Sequence, residues 1–224
     1  MDNSGLPQTC YAALSGAWEL ETNAYRKKIL TLGVIVAATT TNDTDVLDQW
    51  FPKCEAVINQ EVIEEAILQT LLFAGFPKTI EALKVMRNHY PQSSASKHVE
   101  DHAGSGEITS KVIYGKHHTR LKEVMDELHP DLTRWMIADG YGRVLSRPGL
   151  SLADREILVV ASLMASGMLN QYRAHIRGVL LAGVAKDDIV WFTDKFKCVI
   201  PANLHEPFEK VTTKTLENFV NQWG

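Results

Sequence analysis

The densest chemistry in the chain lies between residues 140 and 178, in GYGRVLSRPGLSLADREILVVASLMASGMLNQYRAHIRG. Arg143, Arg147, Arg155, Glu156 and His175 punctuate a stretch that is otherwise largely apolar. Glu156 falls one turn into a helix beginning near Ser151. His175 falls on the next helix, on the face it shares with Gln171 and Met168 at i−4 and i−7. A turn near Gly167 would fold these helices antiparallel and carry the carboxylate toward the imidazole. A buried glutamate costs several kcal/mol unless it is paired, and Arg147, Arg155, Arg173 and His175 are the partners within reach. Such a pair has two uses: the carboxylate can orient the imidazole for general acid/base catalysis, or the ion pair can pin two helices in register. The spacing fits both.

Arg143 and Arg147 lie in GRVLSRPGLS, where Pro148 and Gly149 turn immediately before a helix N-terminus. An arginine beside exposed helix amides suits a carboxylate ligand, because the donors and the helix dipole act together. The same arginine could instead cap the C-terminus of a neighbouring helix. The other histidines say less. His117 and His118 are adjacent and face different directions, and His98 and His102 sit in a connector. Both pairs read as solvated surface, and no metal site is expected. The sequence holds no Gly-rich phosphate loop, GxSxG elbow or nucleotide fingerprint.

Composition narrows the function classes. The 224 residues are 45% hydrophobic and 22% charged, an ordinary globular balance. A net charge of −4 gives no basic footprint, so nucleic acid is not an expected partner. The longest apolar runs, such as ILTLGVIVAA, are too short to span a bilayer, so no membrane partner is expected either. MDNSGLPQTCYAALSG lacks the charged-then-apolar pattern of a secretory leader. Cys10, Cys54 and Cys198 lie far apart, with no CxxC pair, and fit buried thiols in a reducing compartment. The expected location is cytoplasmic.

The elements that must position these residues are helical, and the fold reads as all-α. QEVIEEAILQTLLFAGFPKTIEALKVMRNHY carries one apolar stripe until Gly75-Phe76-Pro77 breaks it and a second helix begins. Ser151 is an N-cap with Asp154 three residues on. Gly167 ends that helix, the next runs from about Leu169 to Ala182 with Gly183 as C-cap, and Pro201 stops the one after. YPQSSASKHVEDHAGSGEITS, residues 90–110, reads as a flexible connector between an N-terminal part, 18–89, and a C-terminal part, 111–224. The two parts look alike as ordered patterns. YRKKILTLGVIVAATT parallels DREILVVASLMASG, and CEAVINQEVIEEAILQTLLFAG parallels RGVLLAGVAKDDIVWFTDKFKC, which points to two tandem copies of one helical unit.

VIYG (112–115), LHPDLTRWMIADGYGRVLSRPGLSLADREILVVASLMA (128–165) and QYRAHIRGVLLAGVAKDDI (171–189) together resemble the carboxymuconolactone decarboxylase family, of the all-helical alkylhydroperoxidase D-like fold. AGFP (74–77) resembles it too, which makes the N-terminal part a more diverged copy. The peroxidase branch of that fold is similar to Glu-x11-Cys-x2-Cys-x3-His. Counted from Glu156, its two cysteine positions fall on Met168 and Gln171 and its histidine on His175. Neither a thioether nor an amide forms a thiolate or a disulfide, so thiol peroxidase chemistry is not expected there.

The decarboxylase branch, as the resemblance implies, uses no metal or organic cofactor and acts on a small anionic lactone. Loss of CO2 leaves electron density to be delocalised and protonated at carbon. On this resemblance Arg147 and Arg155 would clamp the carboxylate, His175 would be the acid with Glu156 behind it, and Gln171, Tyr172 and Arg143 would contact substrate. Two positions depart from the family pattern. Gln171 replaces a common acidic residue, and Gln69 replaces a histidine that can precede the AGFP-like segment. In the N-terminal copy the histidine position falls near Trp50. The resemblance also implies a homo-oligomer, a trimer for a two-copy chain, with the site near an interface. Three readings follow: a cofactor-free lyase-like enzyme, a non-catalytic helical binding or scaffold protein, and a peroxidase-type redox protein.

Overall fold

The computed structural model describes residues 6–92 and 101–220, and every regular element among them is helical. The N-terminal half comprises α1 (Gln8–Leu20), α2 (Ala24–Thr41), α3 (Thr44–Cys54), α4 (Gln60–Gln69) and α5 (Leu71–His89). The C-terminal half comprises α6 (His102–Tyr114), α7 (His118–Leu128), α8 (Pro130–Trp135), α9 (Leu152–Ala165), α10 (Leu169–Leu181), α11 (Lys186–Lys195) and α12 (His205–Val220). Between α8 and α9 the chain winds as a π-helix, Met136–Val144. No helix among the described residues is long and apolar enough to cross a membrane.

Two helices form the axis of the core. α2 is buried without interruption from Ile29 to Thr40, and α9 from Asp154 to Met164. They pack against each other. Each buried Leu, Ile or Val in them contributes roughly 1.5–3 kcal/mol relative to exposure. Helices apolar all round must be covered on every side; α3, α4 and α5 cover α2, and α10 covers α9. The hydroxyls that interrupt this surface are satisfied. Thr40 Oγ1 hydrogen-bonds Ser162 Oγ across the α2–α9 contact at 2.7 Å, and Thr39 and Thr40 also donate to carbonyls one turn back.

Local signals place the boundaries. Asn23, Asp43, Asn59 and Ser151 accept hydrogen bonds from backbone amides in the first turns of α2, α3, α4 and α9. Gly75, at φ 77° and ψ 169°, breaks α5 just before Phe76-Pro77, where the sequence predicts a break. Gly167 takes φ 68° in the turn between α9 and α10.

The structure corrects three expectations. The second half of the expected connector, 102–110, is α6, while 93–100, including His98, lies outside the described residues. Gly104, Ser105 and Gly106 read as loop by composition, yet Gly106 permits a close helix contact. A Cβ on Gly106 would lie 1.9 Å from the Ile137 carbonyl oxygen, and one on Gly142 would lie 1.8 Å from that of His102. The glycines let α6 and the π-helical segment meet backbone to backbone. Second, Cys10 and Cys198 are not separate thiols. They form a disulfide that ties α1 to the segment after α11, with Cα atoms 5.2 Å apart. Fold topology brings together residues 188 apart in sequence, which spacing could not show, and the bond removes the cysteine argument for a reducing compartment. Third, His118 is not solvated surface. It is buried, with Nε2 2.9 Å from Ser110 Oγ, under the end of α6.

Candidate functional site

Ser151 starts α9, and one turn later the helix delivers Glu156 to a position with no solvent exposure. After the turn at Gly167, α10 runs back along α9 and presents His175 to it. His175 Nδ1 lies 2.9 Å from Glu156 Oε2. Gly178, one turn beyond His175, makes room for this contact: a Cβ there would sit 2.4 Å from Glu156 Oε2. With Glu156 ionised, Nδ1–H is the donor, and the tautomer leaves the Nε2 lone pair outward. The second carboxylate oxygen, Oε1, is buried with no hydrogen-bond partner among the described residues. The carboxylate therefore depends heavily on this one imidazole contact.

His175 forms part of the wall of a cavity of about 340 Å³, a size suited to a small organic molecule. Leu72 and Phe73, just before the Gly75 break, supply one side. Met136 and Tyr141 of the π-helical segment supply the other, and Trp135 (55% exposed) lies at its edge. Phe73 and Tyr114 meet the His175 ring edge-on, with centroids 6.1 and 6.4 Å away. Tyr114 in turn hydrogen-bonds Tyr141, hydroxyl to hydroxyl, at 2.7 Å. Burial pushes the Tyr114 phenol up to about 12, partly offset by the Tyr141 hydrogen bond. Burial, reinforced by Tyr114 and the Glu156 carboxylate, holds Tyr141 well above its usual range. Both are neutral hydroxyls at any physiological pH. The one carboxylate on the cavity wall, Asp139, is paired with Arg143 one turn away.

The arginines do not form an open clamp. Arg155 is 1% exposed, and its Nη2 donates to Glu65 Oε2 at 2.8 Å and to the Arg147 carbonyl at 2.8 Å. Its Nη1 reaches Gln69 Oε1 at 3.3 Å. Arg147 binds the same Glu65 carboxylate, from Nε at 3.0 Å and Nη2 at 2.8 Å. Glu65 and Gln69 belong to α4, so the N-terminal half supplies the anion that the resemblance led one to seek in a substrate. Burial pulls the Arg155 guanidinium down from its ordinary value, and Glu65 pushes it back up. Neither arginine lines the His175 cavity.

The remaining sequence-derived candidates disperse. Gln171 and Met168 are exposed, and neither is among the residues that line the cavity beside His175. Tyr172 faces the other side of α10, where its hydroxyl bonds Thr212 Oγ1 at 2.6 Å on the wall of a separate cavity of about 200 Å³. Arg143 is exposed and reaches the site only through Asp139. Sequence reasoning missed Glu65, Phe73, Tyr114 and Tyr141. Two of them carried a signal: Tyr114 and Tyr141 sit in the VIYG and ADGYG segments that resemble the family, but neither has a charge to mark it. In the N-terminal half, the Trp50 indole is fully buried and donates to the Thr31 carbonyl.

Comparison with known proteins adds a partial likeness. No protein-family model matches the chain. It is 31% identical over 83 residues to the 4-carboxymuconolactone decarboxylase of Acinetobacter baylyi, covering 37% of this chain and 62% of that protein. It is 26% identical over 135 residues to Peroxisomal protein 2 of Schizosaccharomyces pombe, covering 57% of this chain and 63% of that one. The chain thus spans a little under two thirds of the length of either relative. Both likenesses are distant, and the first supports a place for this all-helical chain near the carboxymuconolactone decarboxylase family.

Proposed function

We propose that the chain is a cofactor-independent lyase-like enzyme that acts on a small carboxylated, lactone-type molecule by proton transfer at His175. The observation that carries this reading is the buried Glu156–His175 contact beside a cavity: a carboxylate fixes one ring nitrogen, and the ring borders a space of about 340 Å³. This is the arrangement of an oriented general acid/base, and such a group contributes roughly 10²–10⁴-fold to a rate. The distant decarboxylase relative supports the reaction class.

The charge pattern changes how substrate would be held. Arg147 and Arg155 already answer Glu65, so they serve as internal structural cations. A substrate carboxylate in the largely apolar cavity would find neither guanidinium beside it. The lack of that counter-charge favours expelling the carboxylate as neutral CO2, with His175 left to protonate carbon.

A thermal-shift screen of small lactones and unsaturated carboxylates, run on the wild type and on His175→Ala, tests the reading. The expected result is stabilisation of the wild type by at least one lactone acid, lost in His175→Ala. Stabilisation that survives the substitution, or none by any compound, would favour a non-catalytic scaffold.

A further inference from the structure

We propose that Tyr141 is a further catalytic residue, the donor that holds the oxygen of an enolate formed in the His175 cavity, with Tyr114 positioning it. The inference rests on the proton-transfer reading of His175 and narrows the substrate to a conjugated carbonyl compound.

Counting protons carries the argument. Two phenol hydroxyls bring two protons, and the bond between Tyr114 and Tyr141 uses one of them. Neither hydroxyl has another hydrogen-bond partner among the described residues. One O–H is left without an acceptor among the described residues. Tyr114 lies behind, edge-on to both the Tyr141 ring (5.8 Å) and the imidazole, whereas Tyr141 is on the cavity wall. Either hydroxyl can donate in this pair, and a carbonyl oxygen arriving at the wall selects the arrangement in which Tyr114 donates to Tyr141 and the unused proton is that of Tyr141, on the wall that also carries His175. Both phenols stay protonated at neutral pH because burial raises their pKa values, so the donor persists there. The supporting geometry is rigid: Tyr141 lies on the π-helical segment locked to α6 through Gly106 and Gly142, and α6 also carries Tyr114.

The chemistry balances without an oxidant or reductant. The bond from carbon to the departing carboxylate breaks and releases CO2. Its electron pair moves through the conjugated system onto the carbonyl oxygen, which accepts the Tyr141 hydrogen bond. Protonated His175 then gives its proton to carbon as the pair returns. A preorganised neutral donor stabilises the oxyanion more than the ground-state carbonyl.

The test uses 2-naphthol as an enolate mimic and naphthalene as its apolar control, with wild type, Tyr141→Phe, Tyr114→Phe and His175→Gln. Fluorescence reports both affinity and ionisation of bound naphthol. The expected result is a wild-type preference for 2-naphthol over naphthalene, with naphthol ionising at lower pH when bound. Tyr141→Phe should lose roughly ten-fold of the naphthol affinity and keep naphthalene binding, which shows the cavity intact. Tyr114→Phe should lose less, with a smaller ionisation shift. Equal binding of both compounds by the wild type, no binding of naphthol, or an unchanged preference in Tyr141→Phe would overturn the assignment. If that preference is unchanged while lactone stabilisation still depends on His175, the Tyr141 role falls and the acid/base reading stands. If Tyr141→Phe loses the preference while lactone stabilisation does not depend on His175, the oxyanion site stands without the acid/base reading.

Discussion

Glu65 and Arg155 are 90 residues apart in the chain, yet the carboxylate of one accepts a 2.8 Å hydrogen bond from the guanidinium of the other in the protein interior. Arg147 grips the same carboxylate from the other side. This internal triad joins α4 of the N-terminal half to the α9 start that carries Glu156. It positions the helix of the acid/base pair and takes the two arginines out of contention as substrate ligands.

Removing the anion should therefore weaken the fold. Glu65→Ala leaves Arg155 buried without its counter-charge and is expected to cost about 3–5 kcal/mol in urea unfolding. A double variant that replaces both Glu65 and Arg155 by apolar residues of similar volume should recover part of that loss. A cost under about 1 kcal/mol for Glu65→Ala would show that the triad does not form.

Gly178→Ala tests the packing that holds the pair. The new methyl would meet Glu156 Oε2 at 2.4 Å, so the carboxylate must move off Nδ1 or the helices must separate. Overpacking of this kind costs about 1–3 kcal/mol. The expected readout is a lower melting temperature together with a changed imidazole tautomer signature in nitrogen NMR. A variant with wild-type stability and an unaltered His175 spectrum would contradict the described contact.

Alkaline pH should destabilise the chain through its buried and part-buried phenols. Tyr25, Tyr90 and Tyr114 are each pushed up to about 12, chiefly by burial, while an unfolded phenol titrates near about 10. Between those values the unfolded state binds fewer protons than the native state, so unfolding becomes easier as pH rises. Stability contributed by these groups is complete below pH ~10 and is lost by pH ~12. Absorbance at the phenolate band should lag in the native protein and rise with unfolding, and Tyr114→Phe should make the fall in stability less steep. Full tyrosine ionisation near pH 10 in the still-folded protein would contradict the buried environments.

Thiol counting checks the disulfide. Cys54 is buried and its thiol is pushed up to about 12 by burial, so it should resist alkylation in the native protein. Unfolding without reductant should expose one thiol, Cys54, and unfolding with reductant should expose all three cysteines. Three thiols without reductant would show that Cys10 and Cys198 are not joined.

Much of the frame is written in local signals. The caps at Asn23, Asp43 and Ser151, the break at Gly75 and the turn at Gly167 depend on a few neighbouring atoms. A long, nearly continuous apolar run marks α2 and α9, because helices that must be buried on all sides cannot carry a polar face. That frame also makes Glu156 and His175 neighbours in principle: two helices joined by a tight turn present facing residues.

Partner choice is not local. Whether Glu156 takes His175 or an arginine depends on whether another carboxylate has already claimed the arginines, and that carboxylate comes from α4, far upstream. Cys10 meets Cys198, and Tyr141 meets Tyr114, only after α1, α6 and the π-helical segment have packed. The helical stretch 102–110 departs from the connector that the sequence predicts for the same reason. Its glycines look like loop residues in isolation and become helix-contact residues only when a second backbone lies against them. Propensity and capping act over one or two turns, whereas the pairing of buried charges and hydroxyls is settled by the shape of the whole core, which desolvates every candidate at once and leaves each with the one partner in reach.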